Sequence, residues 1–437
     1  MRELKDNALI LYLFEKFENT VSRLNTKECA ELYSAIAEMF EEKEPLAALK
    51  YYKKAREIHR KIGDAIGEGK DLTSMGNVYL ALEECDEALR CYKNALKIHR
   101  KIGDTNWEGS DLANIGVAYE SSGEYKEALK YYKKALKIFR KVGDMMGEGG
   151  ALANMGIIYA GLEEYDKALE HFKKALEIYR KAGEPRGVKS ALTNMGVAYA
   201  NSGKYDEALE CLEKALEIDR KIGDLREEKI SLGNMGNVYL DLEEYGEALK
   251  YFKRRLKICR KIGDIKGEGN TLISMGIAYS ESGKYEKALE CHKNALKIHR
   301  KVGDVIGEGN DLARMGNACI ELGRCNEALK YFREALKIHR NVGDIIGEGN
   351  DLGNMGNACA DLGRDEEALE YYFNAMEIFY RTNNAPDLAR TFENIIVLRY
   401  KIGEERFEEI ANKPENRATY MLFEKIVSEL DKLDKSE

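Results

Sequence analysis

Six histidines and nine cysteines are the side chains of this 437-residue chain best able to do chemistry, and their spacing argues against it. His59, His99, His299 and His339 are separated by 40 residues or multiples of 40, and the same position elsewhere holds Phe139, Tyr179, Asp219, Cys259 and Phe379. A position that accepts a ring, a thiol or a carboxylate is expected to be half-exposed packing and not a ligand set. Copies on neighbouring helix pairs would stand about 8–10 Å apart, far beyond the ~2.1 Å at which ligands share a metal. His171 and His292 fall among aromatic residues and are read the same way. The cysteines (Cys29, Cys85, Cys91, Cys211, Cys259, Cys291, Cys319, Cys325, Cys359) form no Cys-x-x-Cys pair and have no His-x-x-x-His partner. Zinc is therefore not expected, and scattered thiols in odd number suit a reducing compartment. Fragments such as Gly67-Glu68-Gly69 lack the preceding strand and the Gly-Lys-Ser/Thr of a phosphate loop. Residues 383–437 contain neither His nor Cys. The expectation is a protein that is not an enzyme, with no catalytic residue, no metal and no cofactor.

The spacing itself points to architecture. The stretch Gly63–Ile102 restarts at Gly103-Asp104, Gly143-Asp144, Gly183-Glu184, Gly223-Asp224, Gly263-Asp264, Gly303-Asp304 and Gly343-Asp344, and an imperfect copy precedes it. A fixed period of this length marks stacked repeats. Each unit resolves into two helices. Asp64 stands where a first N-cap belongs and Glu68 in its first turn, followed by Leu72, Met75, Gly76 and Tyr79 on one face. The second helix carries Ala88, Leu89, Tyr92, Ala95, Leu96 and Ile98 or His99 inward. It ends at Arg100-Lys101 with Gly103 as a left-handed cap. The basic pairs Arg60-Lys61 through Arg300-Lys301 form a row along one edge, read as complements to helix dipoles. A mid-helix glycine recurs from Gly76 to Gly356, and its cost of roughly 1 kcal/mol each calls for an offset, expected from close approach of the partner helix at Ala88 and its copies, with the aromatics Tyr92, Tyr132, Phe172 and Phe252 filling the space beside that contact. The predicted organisation is a capping helix at 1–22, then nine repeats: 23–62, 63–102, 103–142, 143–182, 183–222, 223–262, 263–302, 303–342 and 343–382. Residues 383–437 follow as C-terminal capping helices, near 387–401 and 415–433. The fold class is all-α, a superhelical solenoid of stacked antiparallel helix pairs.

Leu72, Gly76, Tyr79, Ala88, Tyr92 and Ala95 stand at the relative spacings of the tetratricopeptide repeat signature. The unit is a few residues longer than that family's commonest form. Its length and the phrases GDxxGEG and NMGN are similar to the long repeats of spindle-orientation adaptors, rapsyn and kinesin light chains. The resemblance spans about residues 23–382. It implies a right-handed superhelix whose first helices line a concave groove, and a function in binding other proteins. The G-protein-binding segments that follow the repeats in spindle-orientation adaptors are not recognisable here.

One stripe of the first helices lies off the core face, at spacings of four, three and four. It begins Lys70, Ser74, Asn77 and Ala81, and its second and third positions then read Asn114 and Val117, Asn154 and Ile157, Asn194 and Val197, Asn234 and Asn237. After Ser274 and Ile277 it continues Asn310, Arg314 and Asn317, then Asn350, Asn354 and Asn357. By the resemblance this stripe is the groove floor. Asn occupies the second position in five of eight copies, and an amide both donates to and accepts from a peptide backbone. First helices about 10 Å apart match roughly three residues of extended chain at ~3.3 Å each. The expected function is a scaffold or adaptor that holds a peptide or helical segment of a partner protein. That ligand would be aliphatic at its centre and carry a basic residue toward the carboxylates Asp241, Glu281, Glu321 and Asp361. A regulatory subunit of an enzyme encoded elsewhere, or a self-associating architectural stack, is the alternative. The formal charge of −8 gives no general attraction to nucleic acid or anionic lipid. The apolar run Ala8 to Phe14 is too short to span a bilayer and has no cleavage site, so no membrane segment is expected and the location reads as cytoplasmic. Oligomeric state is left open.

Overall fold

The computed structural model describes residues 26–414 and 416–434; the expected capping helix at 1–22 lies outside them. Among the described residues there are helices and no strands. The chain divides into two compact units, Met1–Ile222 and Gly223–Glu437.

In the first unit the helices are α1 (Lys27–Phe40), α2 (Pro45–Ile62), α3 (Ala65–Ala81), α4 (Cys85–Ile102), α5 (Thr105–Ser121), α6 (Tyr125–Val142), α7 (Met145–Gly161), α8 (Tyr165–Ala182), α9 (Pro185–Asn201) and α10 (Tyr205–Ile222). Each packs on the next, and α5, α7 and α9 also touch in succession. The second unit holds α11 (Leu225–Asp241), α12 (Tyr245–Ile262), α13 (Ile265–Glu281), α14 (Tyr285–Val302), α15 (Val305–Glu321), α16 (Cys325–Val342), α17 (Ile345–Asp361), α18 (Asp365–Arg381), α19 (Ala385–Ile402), α20 (Glu404–Ala411) and α21 (Arg417–Asp434). Here α11 touches α13, α15 touches α17 and α17 touches α19. Within each unit the architecture is therefore a solenoid of stacked helix pairs.

Local chemistry fixes the corners. Asp64, Asp104, Asp144, Asp264, Asp304 and Asp344 each accept a hydrogen bond from the backbone amide three residues on, at 2.8–3.1 Å. This satisfies one of the free donors at a helix start. The preceding glycine ends the second helix in the left-handed region, as at Gly103 with φ 76°. At the other corner Gly123, Gly203, Gly283, Gly323 and Gly363 adopt the same conformation, while Glu83, Glu163 and Glu243 do so with a Cβ. Thr26 caps α1 by accepting from Cys29 N at 3.3 Å.

The mid-helix glycines face the aromatic rings expected beside them, but the closest approach is to the ring and not to the small alanine. A Cβ on Gly76 would meet the Tyr92 ring at 2.5 Å, and Gly116 faces Tyr132, Gly156 faces Phe172, Gly236 faces Phe252 and Gly356 faces Tyr372 in the same way. The ring of the paired helix, and not the small Ala88, occupies the space. Only at Gly196, opposite Leu212, is backbone of the partner helix (Ala208 O) among the nearest atoms. The end of the chain also holds one helix more than expected. Besides α19 and α21, the short α20 buries Phe407, Ile410 and Ala411. Phe407 and Phe423 pack with centroids 6.1 Å apart, and Phe423 lies 6.4 Å from Phe373 of α18, covering the last repeat's apolar face.

Candidate functional site

The histidines at the repeated position are not half-exposed, and this corrects the sequence reading. His59, His99, His299 and His339 are buried, each with its Nδ1 2.6–2.7 Å from a carboxylate on the following first helix: Asp71, Asp111, Asp311 and Asp351. At His99 and Asp111 both residues are 0 % exposed. Ser34 donates a further hydrogen bond to Asp71 (2.7 Å), and Thr73 donates to Asp111 (2.9 Å). Burial raises the pKa of Asp71, Asp111 and Asp351, against the hydrogen bond from the histidine, and pushes Asp311 up to about 6. The hydrogen bond to Asp351 raises that of His339. Each pair staples the end of one repeat to the start of the next. Among the described residues no group of three or more His, Cys, Asp or Glu is placed to hold a metal.

A sequence signal for these pairs existed. Twelve residues after the repeated position stands Asp only where that position is His; after Phe139, Tyr179, Asp219, Cys259 and Phe379 stand Ala151, Ala191, Ser231, Thr271 and Thr391. A second column varies in step. Gly69, Gly109, Gly149, Gly269, Gly309 and Gly349 face the rings of His99, Phe139, Tyr179, His299, His339 and Phe379. Where the ring is missing, at Asp219 and Cys259, the glycine becomes Lys189 and Lys229, and Lys189 Nζ reaches to 3.9 Å from Asp219.

The row of basic residues along the repeat edge is paired as well. Arg100, Arg140, Arg260, Arg300 and Arg340 donate from Nε to Glu108, Glu148, Glu268, Glu308 and Glu348 at 2.7–2.8 Å. In these five copies the Glu four residues after the capping Asp thus ties down the Arg of the helix before it. These exposed pairs are worth at most about 1 kcal/mol each.

The stripe on the first helices was assigned from sequence as the binding surface. In the first unit Lys70, Asn77, Ile157 and Val197 are exposed, while Asn114, Val117, Asn154 and Asn194 are half-buried. Lys70 Nζ sits 5.6 Å over the Trp107 ring. Asn77 Oδ1 accepts from the Tyr92 hydroxyl at 2.7 Å, and Asn154 contacts the Tyr132 hydroxyl. In the second unit Asn237, Asn317 and Asn350 are exposed, and Asn234, Asn310, Arg314, Asn354 and Asn357 are half-buried. Asn357 Oδ1 accepts from Tyr372 (2.8 Å) and from Asn394 (3.1 Å). Among the described residues the side chains of Asn114, Asn194, Asn234 and Asn354 make no hydrogen bond, which leaves their amides available.

These features define an α-solenoid of paired helices whose variable face is the stripe and whose joints are capped and stapled. Tetratricopeptide repeat models match residues 26–101, 71–141, 148–221, 188–261 and 267–341, and another matches 352–385, which together cover most of the chain. The chain belongs to the tetratricopeptide repeat family. None of the curated proteins searched matches it. Among solved structures it is similar to a signal transduction ATPase with numerous domains (STAND) with a tetratricopeptide repeat sensor from Pyrococcus horikoshii. That pair is 18 % identical with TM-score 0.61, over 83 % of this chain and 55 % of the other, so the chain spans about half of that protein. Aspartyl phosphate phosphatase F from Bacillus subtilis aligns at 16 % identity and TM-score 0.52, covering 81 % of this chain and 94 % of the other. The quorum sensor NprR from B. thuringiensis aligns at 18 % identity and TM-score 0.51, covering 78 % and 97 %. At these identities the likeness establishes the fold alone. No described helix is long and apolar enough to cross a membrane.

Proposed function

We propose that the protein is an interaction scaffold that holds an extended segment of a partner protein on the first-helix stripe. The observation that carries this reading is the pattern within the first unit. Half-buried Asn114 and Asn194 have no side-chain partner among the described residues. Ile157 (43 %) and Val197 (39 %) of the same stripe are exposed apolar side chains. An amide that donates and accepts grips a peptide backbone, and adjacent aliphatic side chains add affinity through buried area. In the family's repeats the first helices line the groove, which is where such a stripe belongs. The STAND relative's repeats are described as a sensor, a role compatible with ligand capture.

Identification of the partner by affinity capture and mass spectrometry supplies the peptide. Fluorescence anisotropy is then measured with the native chain and with a variant carrying Asn114→Ala, Asn194→Ala, Ile157→Ser and Val197→Ser. Weakening by tenfold or more is expected. Undiminished affinity with the fold intact would remove the stripe as the binding surface.

A further inference from the structure

One cavity in the second unit gathers groups that repeat packing leaves unused. It has a volume of about 390 Å³ and is lined by Ile277, Glu281, His292, Arg314, Asn317 and Glu321, among others. His292 sits on α14 where other repeats place Tyr92, Tyr132, Phe172, Leu212, Phe252, Phe332 and Tyr372. Where the ring is tyrosine, its hydroxyl finds a partner on the first helix, as Tyr92 finds Asn77, Tyr132 finds Glu120 (2.7 Å) and Tyr372 finds Asn357. The counterpart of Asn77 here is Ile277, which offers none. His292 is 2 % exposed and its Nδ1 has no hydrogen-bond partner.

Arg314 is only partly provided for, by the electrostatic attraction of Asp311. It replaces the Asn of the stripe, is half-buried, and among the described residues makes neither an ion pair nor a hydrogen bond. Asp311, one turn earlier, accepts its hydrogen bond at Oδ2 from His299 and not from Arg314. Burial, with Arg314 beside it, pushes His292 down to about 4, so at neutral pH the imidazole is uncharged and the guanidinium is the cation of this end. At the other end stands Glu321, seven residues and therefore about 10 Å along α15, with Glu281 joining it from α13. The Tyr285 hydroxyl bonds to Glu321. The two carboxylates disfavour a polyanion, and the lone arginine favours a single acidic group.

We propose that this cavity is a subsite for a dipolar stretch of extended peptide. An acidic side chain is held by Arg314 beside the uncharged His292 ring, and a basic side chain two residues away lies against Glu281 and Glu321. Side chains two apart in an extended chain point to the same face, roughly 6.6 Å from one another, and the reach of the side chains spans the remainder. The subsite rests on the reading of the stripe as the peptide-binding surface, and it adds an acidic position to the basic one expected from the carboxylates alone.

The test uses the full chain and fluorescent eight-residue peptide pools whose central triplet is Glu-x-Lys, Gln-x-Gln, Lys-x-Lys or Glu-x-Glu. The Glu-x-Lys pool is expected to bind about tenfold tighter than Gln-x-Gln. Arg314→Asn, which restores the amide found at Asn154 and Asn194, should abolish the preference for Glu, and Glu281→Gln with Glu321→Gln the preference for Lys. The His292 imidazole nitrogen signals should shift on binding in the native chain. Binding without charge preference, or a preference that Arg314→Asn leaves intact, would overturn the subsite and leave the stripe standing. Absence of binding by every pool would overturn both. If free glutamate or lysine moves the His292 signals while no dipolar peptide does, the ligand is a free amino acid and the peptide assignment falls.

Discussion

A buried His–Asp pair is a costly way to join two repeats, and the joints at Phe139, Tyr179 and Phe379 show the cheaper way, a ring against a small residue. At His339 both His339 Nε2 and Asp351 Oδ1 are buried without a partner, so the pair is stabilising only relative to its halves. His339 faces Gly309 and Gly347, as Phe139 faces Gly109 and Gly147. Breaking the pair by His339→Phe or Asp351→Ala alone is expected to cost about 3 kcal/mol, because one buried polar group loses its counterpart. The double change recreates the Phe139–Ala151 joint and is expected to be within about 1 kcal/mol of native or better. A double-mutant cycle in denaturant reads the coupling. His292 supplies the pH counterpart. Its folded pKa, about 4, lies below the ordinary histidine value. Stability from this group is therefore complete above about 6.5 and is lost as pH falls toward 4. His292→Phe, the residue at Phe252 and Phe332, should leave stability at pH 7 little changed while making the second unit more resistant at pH 4.5. Denaturation midpoints at the two pH values check this.

At the scale of the helix, most of the structure was legible and the exceptions have physical causes. Asp caps, left-handed glycines and inward faces follow from local rules that a sequence displays directly. That the Tyr92 ring and not Ala88 makes the closest approach to Gly76 does not, because it depends on which rotamer brings the ring across to the paired helix. For the same reason the histidines looked half-exposed while their partners stood twelve residues away on another helix. The short α20 was hidden by its length; eight residues with Phe407 and Ile410 show too little periodicity to separate from a turn. The stripe residues were legible as lying off the core face, but Asn77, Asn154 and Asn357 are engaged by tyrosines, which pattern alone could not show. Two predictions belong to elements. Gly236→Ala should destabilise by about 1–3 kcal/mol, since the new Cβ collides with Phe252 and overpacking outweighs the gain in helix propensity. Glu83, Glu163 and Glu243 have φ of 60–63° where other repeats use glycine. Each replaced by Gly should raise stability by about 0.5 kcal/mol, the relief of left-handed strain exceeding the entropy of glycine. Being distant, the three should add.

For the whole molecule, stability in a stack is a sum of repeat and nearest-neighbour terms. A core lesion such as Asp351→Ala should lower hydrogen-exchange protection most in α16, α17 and their immediate neighbours, with residues 27–62 keeping native protection. Uniform loss along the chain would contradict this. The joints also bear on how such a chain can lengthen or shorten. Excising residues 303–342 splices His299 onto Asp351, so like meets like and a shorter folded protein is expected. Excising 103–142 instead leaves His99 facing Ala151, an imidazole sealed in with no acid to accept its proton, and that product should be poorly soluble. The repeats are therefore not freely interchangeable modules: each carries half of a lock at either end, and only cuts that match the halves leave a chain that closes.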